Sequence, residues 1–175
     1  MYALPFVAGI TLWQTRSSSV TLLVAGGFMF GGLMFGPDLD IYSVQYQRWG
    51  FLRWIWLPYQ KSLRHRSFLS HGPIIGTTLR VLYLGCWLVL LAVIVLAVAA
   101  RWWNVVFNWQ DLGRSLLHYD IECVALLLGL ELGAMSHSLS DWGGSAYKRF
   151  QKQGVRGLLP RVKIKKRKVK RGRGR

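Results

Sequence analysis

Apolar and polar positions along this chain are sorted into long blocks rather than the short alternation of a half-buried sheet. Residues 2–13 are apolar, and residues 14–19 form a polar turn. Residues 20–35 are apolar again and carry the pairs Gly26-Gly27 and Gly31-Gly32. Glycines at that spacing give a helix a smooth surface and allow close helix packing. The two blocks predict a helical hairpin, its first arm short of the roughly 20 residues that a full membrane span takes. Residues 41–61 interleave Tyr42, Tyr46, Trp49, Phe51, Trp54, Trp56 and Tyr59 with Arg48, Arg53 and Lys61. This pattern predicts a segment lying in the headgroup layer, rings at the interface and cations outward. Ser70 is placed to cap the next helix, with Pro73 in its first turn. Residues 81–100 then run without a charge, long enough to span, and Arg101-Trp102-Trp103 follows as an interfacial anchor. Residues 104–119 read as a mixed connector. Residues 121–135 are the last apolar block, with Glu122 and Glu131 in it, and Gly143-Gly144 are predicted to stop that helix.

Composition agrees with a membrane protein: 52% of residues are hydrophobic and nine are tryptophan. Cys86 and Cys123 stand apart inside apolar blocks, which predicts small apolar residues and no disulfide framework. The net charge of +16 is unevenly spread. From Lys148 onward there are fourteen basic residues and no acidic one, so the rest of the chain is nearly neutral. The expected fold is an all-α, multi-pass transmembrane helical bundle with an interfacial aromatic segment and a disordered basic tail. Residues 1–147 form the expected membrane helical domain with a metal site, and residues 148–175 the tail. Arg48, Arg53, Lys61, Arg64, Arg66 and the tail fall on one side of that bundle, which the positive-inside rule assigns to the cytoplasm. The expected location is therefore the inner (plasma) membrane, C-terminus cytoplasmic. The tail has the composition to bind anionic headgroups of membrane lipids, and secondarily nucleic acid through phosphates.

The chemistry concentrates in residues 36–73, which hold Asp38 and Asp40 after Pro37 and His65 and His71 near the other end. Carboxylate oxygen and imidazole nitrogen together suit a divalent ion such as zinc, manganese or iron. The plain alternative is a polar loop with Asp38 and Asp40 in a turn. His137 and Asp141 are four apart, so on a helix they share a face. Asp38 and Asp40 follow the second apolar helix, His71 begins the third, and His137 and Asp141 end the last. Successive spans alternate in direction, so these groups are expected at one membrane face. Arg80 and Glu131 fall at matching depths in neighbouring helices, where unpaired charge is expensive, and are expected to be neighbours.

The segments PDLD, RHRSFLSHGP and HSLSDW, in that order over apolar helices, resemble a bacterial family of uncharacterised metal-binding membrane proteins. That family is distantly similar to membrane-bound metal-dependent hydrolases, whose comparable segments read roughly P-D-x-D and H-R-G-x-T-H-S. The resemblance implies Asp38, His65, His71, His137 and Asp141 as ligands, with Asp40 as ligand or supporting partner. Ser67 and Ser70 replace the glycine and threonine of those relatives without removing a ligand. The resemblance also implies a further His-Asp pair ahead of the first helix; Met1 stands inside that helix, so the expectation is either a true start upstream of Met1 or an incomplete site. If the site is catalytic, the residue types suit hydrolysis of a phosphoester, a metal activating water and Arg64 and Arg66 neutralising phosphate; the ordinary alternative for the two arginines is that they are cations of a positive-inside loop. The alternatives are a non-catalytic metal-binding or scaffold membrane protein, and a membrane-tethered nucleic-acid binder.

Overall fold

The computed structural model describes residues 2–63, 67–103 and 108–154. Most of these residues are helical, and no strand is among them. The helices are α1 (Leu4–Thr15), α2 (Ser18–Leu33), α3 (Val44–Gln47), α4 (Leu57–Ser62), α5 (Phe68–His71), α6 (Ile75–Trp103), α7 (Trp109–His118) and α8 (Asp120–Gln153). Tight 3₁₀ turns at Pro37–Asp40 and Gly50–Trp56 join the short pieces. The chain forms two compact units, Met1–Ser140 and Asp141–Arg175.

In the first unit α1 and α2 make the expected hairpin. Arg16 closes α1 in a left-handed conformation, its N–H returning to the Leu12 carbonyl, and the Ser17 hydroxyl caps α2 by accepting the Val20 N–H. The glycines of α2 meet glycines of α8. A Cβ on Gly27 would lie 2.8 Å from the Leu126 carbonyl oxygen, and Gly31 abuts the Leu130 carbonyl. Reciprocally, Gly129 abuts the carbonyl of Val24, and Gly133 that of Phe28. Both partners advance by four residues together, so the two helices run parallel. Close packing on α2 was legible from its glycines; the matching G-x-x-x-G of α8 completes it.

The aromatic segment departs from the flat interfacial arrangement that its composition predicts. It folds over the end of α2 and caps it. Gln45 Nε2 donates to the Gly32 carbonyl (3.1 Å), Arg48 Nη1 to Leu33 (2.8 Å) and Trp49 Nε1 to Met34 (2.9 Å). Three successive carbonyls that the helix cannot satisfy itself are thereby satisfied by side chains. The segment consequently divides its rings. Tyr46, Trp56 and Tyr59 are buried with Phe35 and Leu39 in the core, while Tyr42, Phe51 and Trp54 stay exposed. The early part of α6 covers this core through Leu79, Tyr83, Leu84 and Trp87, and the Tyr83 hydroxyl donates to the Ile55 carbonyl. Beyond Trp87 that cover ends, and residues 88–95 are all exposed.

The expected stop at Gly143-Gly144 does not occur. The second unit continues α8 as far as Gln153, and the helix ends where Gly154 turns left-handed (φ 59°). Two interior glycines cost a helix about 1 kcal/mol each. The helix-forming run that follows them, with Ala146, Lys148, Arg149, Gln151 and Lys152, offsets that cost. Among the elements predicted as connector, residues 109–118 form α7.

Candidate metal centre

The turn after α2 sets the first two acidic side chains. Pro37 starts a 3₁₀ turn, and the Ser43 hydroxyl bonds back to the Asp38 carbonyl (2.8 Å), closing the loop behind it. Asp38 remains partly accessible, whereas the Asp40 side chain is fully buried. His71 ends α5, and a sharp elbow at Gly72-Pro73-Ile74 leads into α6. Ile74 takes a left-handed backbone (φ 65°), which a β-branched residue adopts only under strain. Glu131 Oε1 accepts the Ile74 N–H at 3.0 Å and holds the elbow against α8.

These elements converge on Asp38. One carboxylate oxygen lies 3.7 Å from His71 Nε2, the other 3.3 Å from His137 Nε2. The other nitrogen of His71, Nδ1, faces Asp40 Oδ2 at 3.8 Å, beyond hydrogen-bond length. Asp40 in turn accepts a short hydrogen bond from the Ser70 hydroxyl (2.6 Å). The resulting order is carboxylate, imidazole, carboxylate, imidazole, with Asp40 at the buried end and the other three partly accessible.

The arrangement fits a divalent ion. Oxygen and nitrogen ligands at about 2.0–2.2 Å from a tetrahedral ion stand roughly 3.4 Å from each other. The Asp38–His137 separation of 3.3 Å matches this, and Asp38–His71 exceeds it by a few tenths of an ångström. A carboxylate facing the second nitrogen of a ligand imidazole is the usual support of such a site, which is the place Asp40 occupies. Asp141 begins the second unit, one helical turn beyond His137 along α8, and so shares its face of that helix. His65, Arg64 and Arg66 lie outside the described residues, as does the tail beyond residue 154.

Two participants were not identified as such in the sequence. Ser70 reads there as a helix cap; in the fold it is wholly buried and its hydroxyl serves Asp40, thirty residues away. Glu131 reads as a partner for Arg80. Both line one cavity, but Arg80 bonds the Ser70 carbonyl and Thr77 hydroxyl, while Glu131 takes the Ile74 amide. Local sequence carries no signal for either role, since both depend on contacts across the fold. Tyr59 lies behind the centre, and burial pushes its hydroxyl pKa above the usual value, with the Arg80 guanidinium pulling the other way.

A family model described as "Uncharacterized metal-binding protein (DUF2227)" matches residues 1–151. An uncharacterized protein of Aquifex aeolicus (strain VF5) is 39% identical over 59 residues, which is 33% of this chain and 41% of that protein. The chain thus spans under half the length of that relative. No solved structure matches.

Proposed function

The chain belongs to this family of uncharacterized metal-binding proteins, and from that premise we propose that Asp38, His71 and His137 hold one divalent ion. The observation that carries the reading is the Asp38 carboxylate set between two imidazoles, 33 and 99 residues away in sequence. Asp40 orients His71 from behind. The mixed oxygen and nitrogen donors favour zinc, manganese or iron over calcium or magnesium. The test is metal analysis of the purified full chain, followed by chelator competition. Wild type is expected to retain a transition metal, and His71→Ala and His137→Ala each to lower affinity by about 100-fold or more, beyond the range for supporting residues. Unchanged affinity in both variants would overturn the assignment.

The same reading places the protein in the inner membrane. Residues 88–100 of α6 are all apolar and mostly exposed, unlike the core helix of a soluble protein. The basic excess after Lys148 favours a cytoplasmic C-terminus, with anionic lipid as the tail's partner. A cytoplasm-specific reporter fused after Arg175 is expected to be active; activity of a periplasm-specific one would reverse the topology.

For activity, the reading is hydrolysis of a phosphoester. A cavity of about 160 Å³ opens beside His71, walled also by Thr77, Arg80, Glu131 and Ser138, and provides room for a small substrate next to the ion. A bound divalent ion supplies Lewis acidity there. A phosphoesterase screen of metal-loaded protein tests this, and absence of turnover would leave a metal-binding scaffold.

A further inference from the structure

A second feature of the centre lies on α6, outside the candidate ligands. We propose that Arg80 is a positioning residue: through Ser70 it holds the Asp40–His71 pair in the orientation that presents His71 to Asp38. The inference rests on the metal reading above.

Arg80 is only 2% exposed. A buried guanidinium is costly unless its charge and donors are met. Here Nη1 donates to the Ser70 carbonyl at 3.0 Å and Nη2 to the Thr77 hydroxyl at 2.9 Å. The cation also stands over the Phe35 ring at 5.9 Å, and Asp40, Glu131 and Tyr59 lie within its electrostatic reach. The first turn of α6 is cut away for this contact. A Cβ on Gly76 would lie 2.6 Å from the Ser70 carbonyl oxygen and 3.5 Å from Arg80 Nη1.

Ser70 is the relay because both its ends are engaged. Its carbonyl accepts from Arg80, while its hydroxyl donates to Asp40 at 2.6 Å and reaches the Pro37 carbonyl at 3.4 Å. Residue 71 follows directly, its ring lying between Asp40 on the Nδ1 side and Asp38 on the Nε2 side. Fixing Ser70 therefore fixes, at once, the carboxylate behind His71 and the backbone from which His71 projects. A planar fork suits this work better than an ammonium, since it satisfies two acceptors in a set geometry.

The competing account is that Arg80 only ties α5 to α6. On that account its loss lowers stability and leaves metal binding alone. The experiment uses the full chain in detergent, titrated with cobalt(II), and reads affinity by chelator competition together with the visible absorption of the bound ion. Thermal unfolding of the metal-free protein runs in parallel. Arg80→Met and Ser70→Ala are each expected to weaken cobalt binding about 10-fold or more and to alter the spectrum. Arg80→Lys is expected to fall between wild type and Arg80→Met. Ser70→Ala keeps the carbonyl that Arg80 uses and tests the relay hydroxyl, so Arg80→Lys decides the part of Arg80 if Arg80→Met fails to fold. Wild-type affinity and spectrum in Ser70→Ala and Arg80→Lys would overturn the inference while leaving the metal site standing. A wild-type chain that binds no cobalt would overturn both.

Discussion

Helices α6 and α8 are the two long apolar helices among the described residues, and they use their surfaces differently. The face of α8 within the first unit is notched by Ala125, Gly129, Gly133 and Ala134, all buried, and α2 lies in that notch backbone to backbone. Between residues 88 and 96 α6 carries large side chains at every position but Ala92, and residues 88–95 are all exposed. Both helices pass the same test of length and hydropathy. Small residues are what distinguish them. Where a helix meets another closely, side-chain volume is removed from the contact, and where no helix packs there is no reason to remove it. The difference also separates roles. The α2–α8 contact sets Asp38, in the turn after α2, beside His137 of α8, while the bare part of α6 lies well beyond the centre along that helix.

Four substitutions test this contrast. The largest effect is expected from Gly133→Leu, because the Phe28 carbonyl and Gly32 amide occupy the place of its Cβ. A loss of about 3 kcal/mol, the upper end of overpacking, should appear in thermal unfolding, accompanied by lost metal. Normal stability there would mean that the two backbones are not in contact. Next, Leu90→Arg in α6 should oppose membrane insertion by about 2.5 kcal/mol or more, read as a shift of the expressed protein out of the membrane fraction. Unchanged partitioning would argue that this surface faces something other than lipid. Third, Gly27→Ala should destabilise by about 1 kcal/mol, since its Cβ would crowd the Leu126 carbonyl at 2.8 Å. The smallest effect, of opposite sign, belongs to Gly85→Ala on α6. Its Cβ would meet no heavy atom within 4 Å, so the helix should gain roughly 0.5–1 kcal/mol. If the two glycine-to-alanine changes moved stability in the same direction, the contrast between the helices would fail.

Much of the centre was readable before any coordinates. Asp38, Asp40, His71 and His137 stand out because polar ligand types are scarce in this chain, and the alternation of apolar blocks predicts their convergence. What could not be read was their support. Ser70 looks like any serine before a helix, and Gln45, Arg48 and Trp49 look like members of an interfacial stripe. Their roles arise because the segment folds back on the end of α2, a contact between residues 13 to 15 apart that periodicity does not encode. The Gly143-Gly144 pair misled for a related reason: a local breaker signal weighs little against a strong helical run on either side.

The sequence by itself determined the helical class, the placement of the four longest apolar blocks, the close-packing face of α2 and the candidate ligands. Each of these follows from composition or spacing within a few tens of residues. Only the tertiary structure decided that α8 carries the partner face for α2, that Asp40 lies behind His71 rather than beside Asp38, and that Arg80 bonds the Ser70 carbonyl while Glu131 holds the Ile74 amide. The physical reason is that buried polar groups take whichever partner geometry brings within about 3 Å, and that choice belongs to the packed fold.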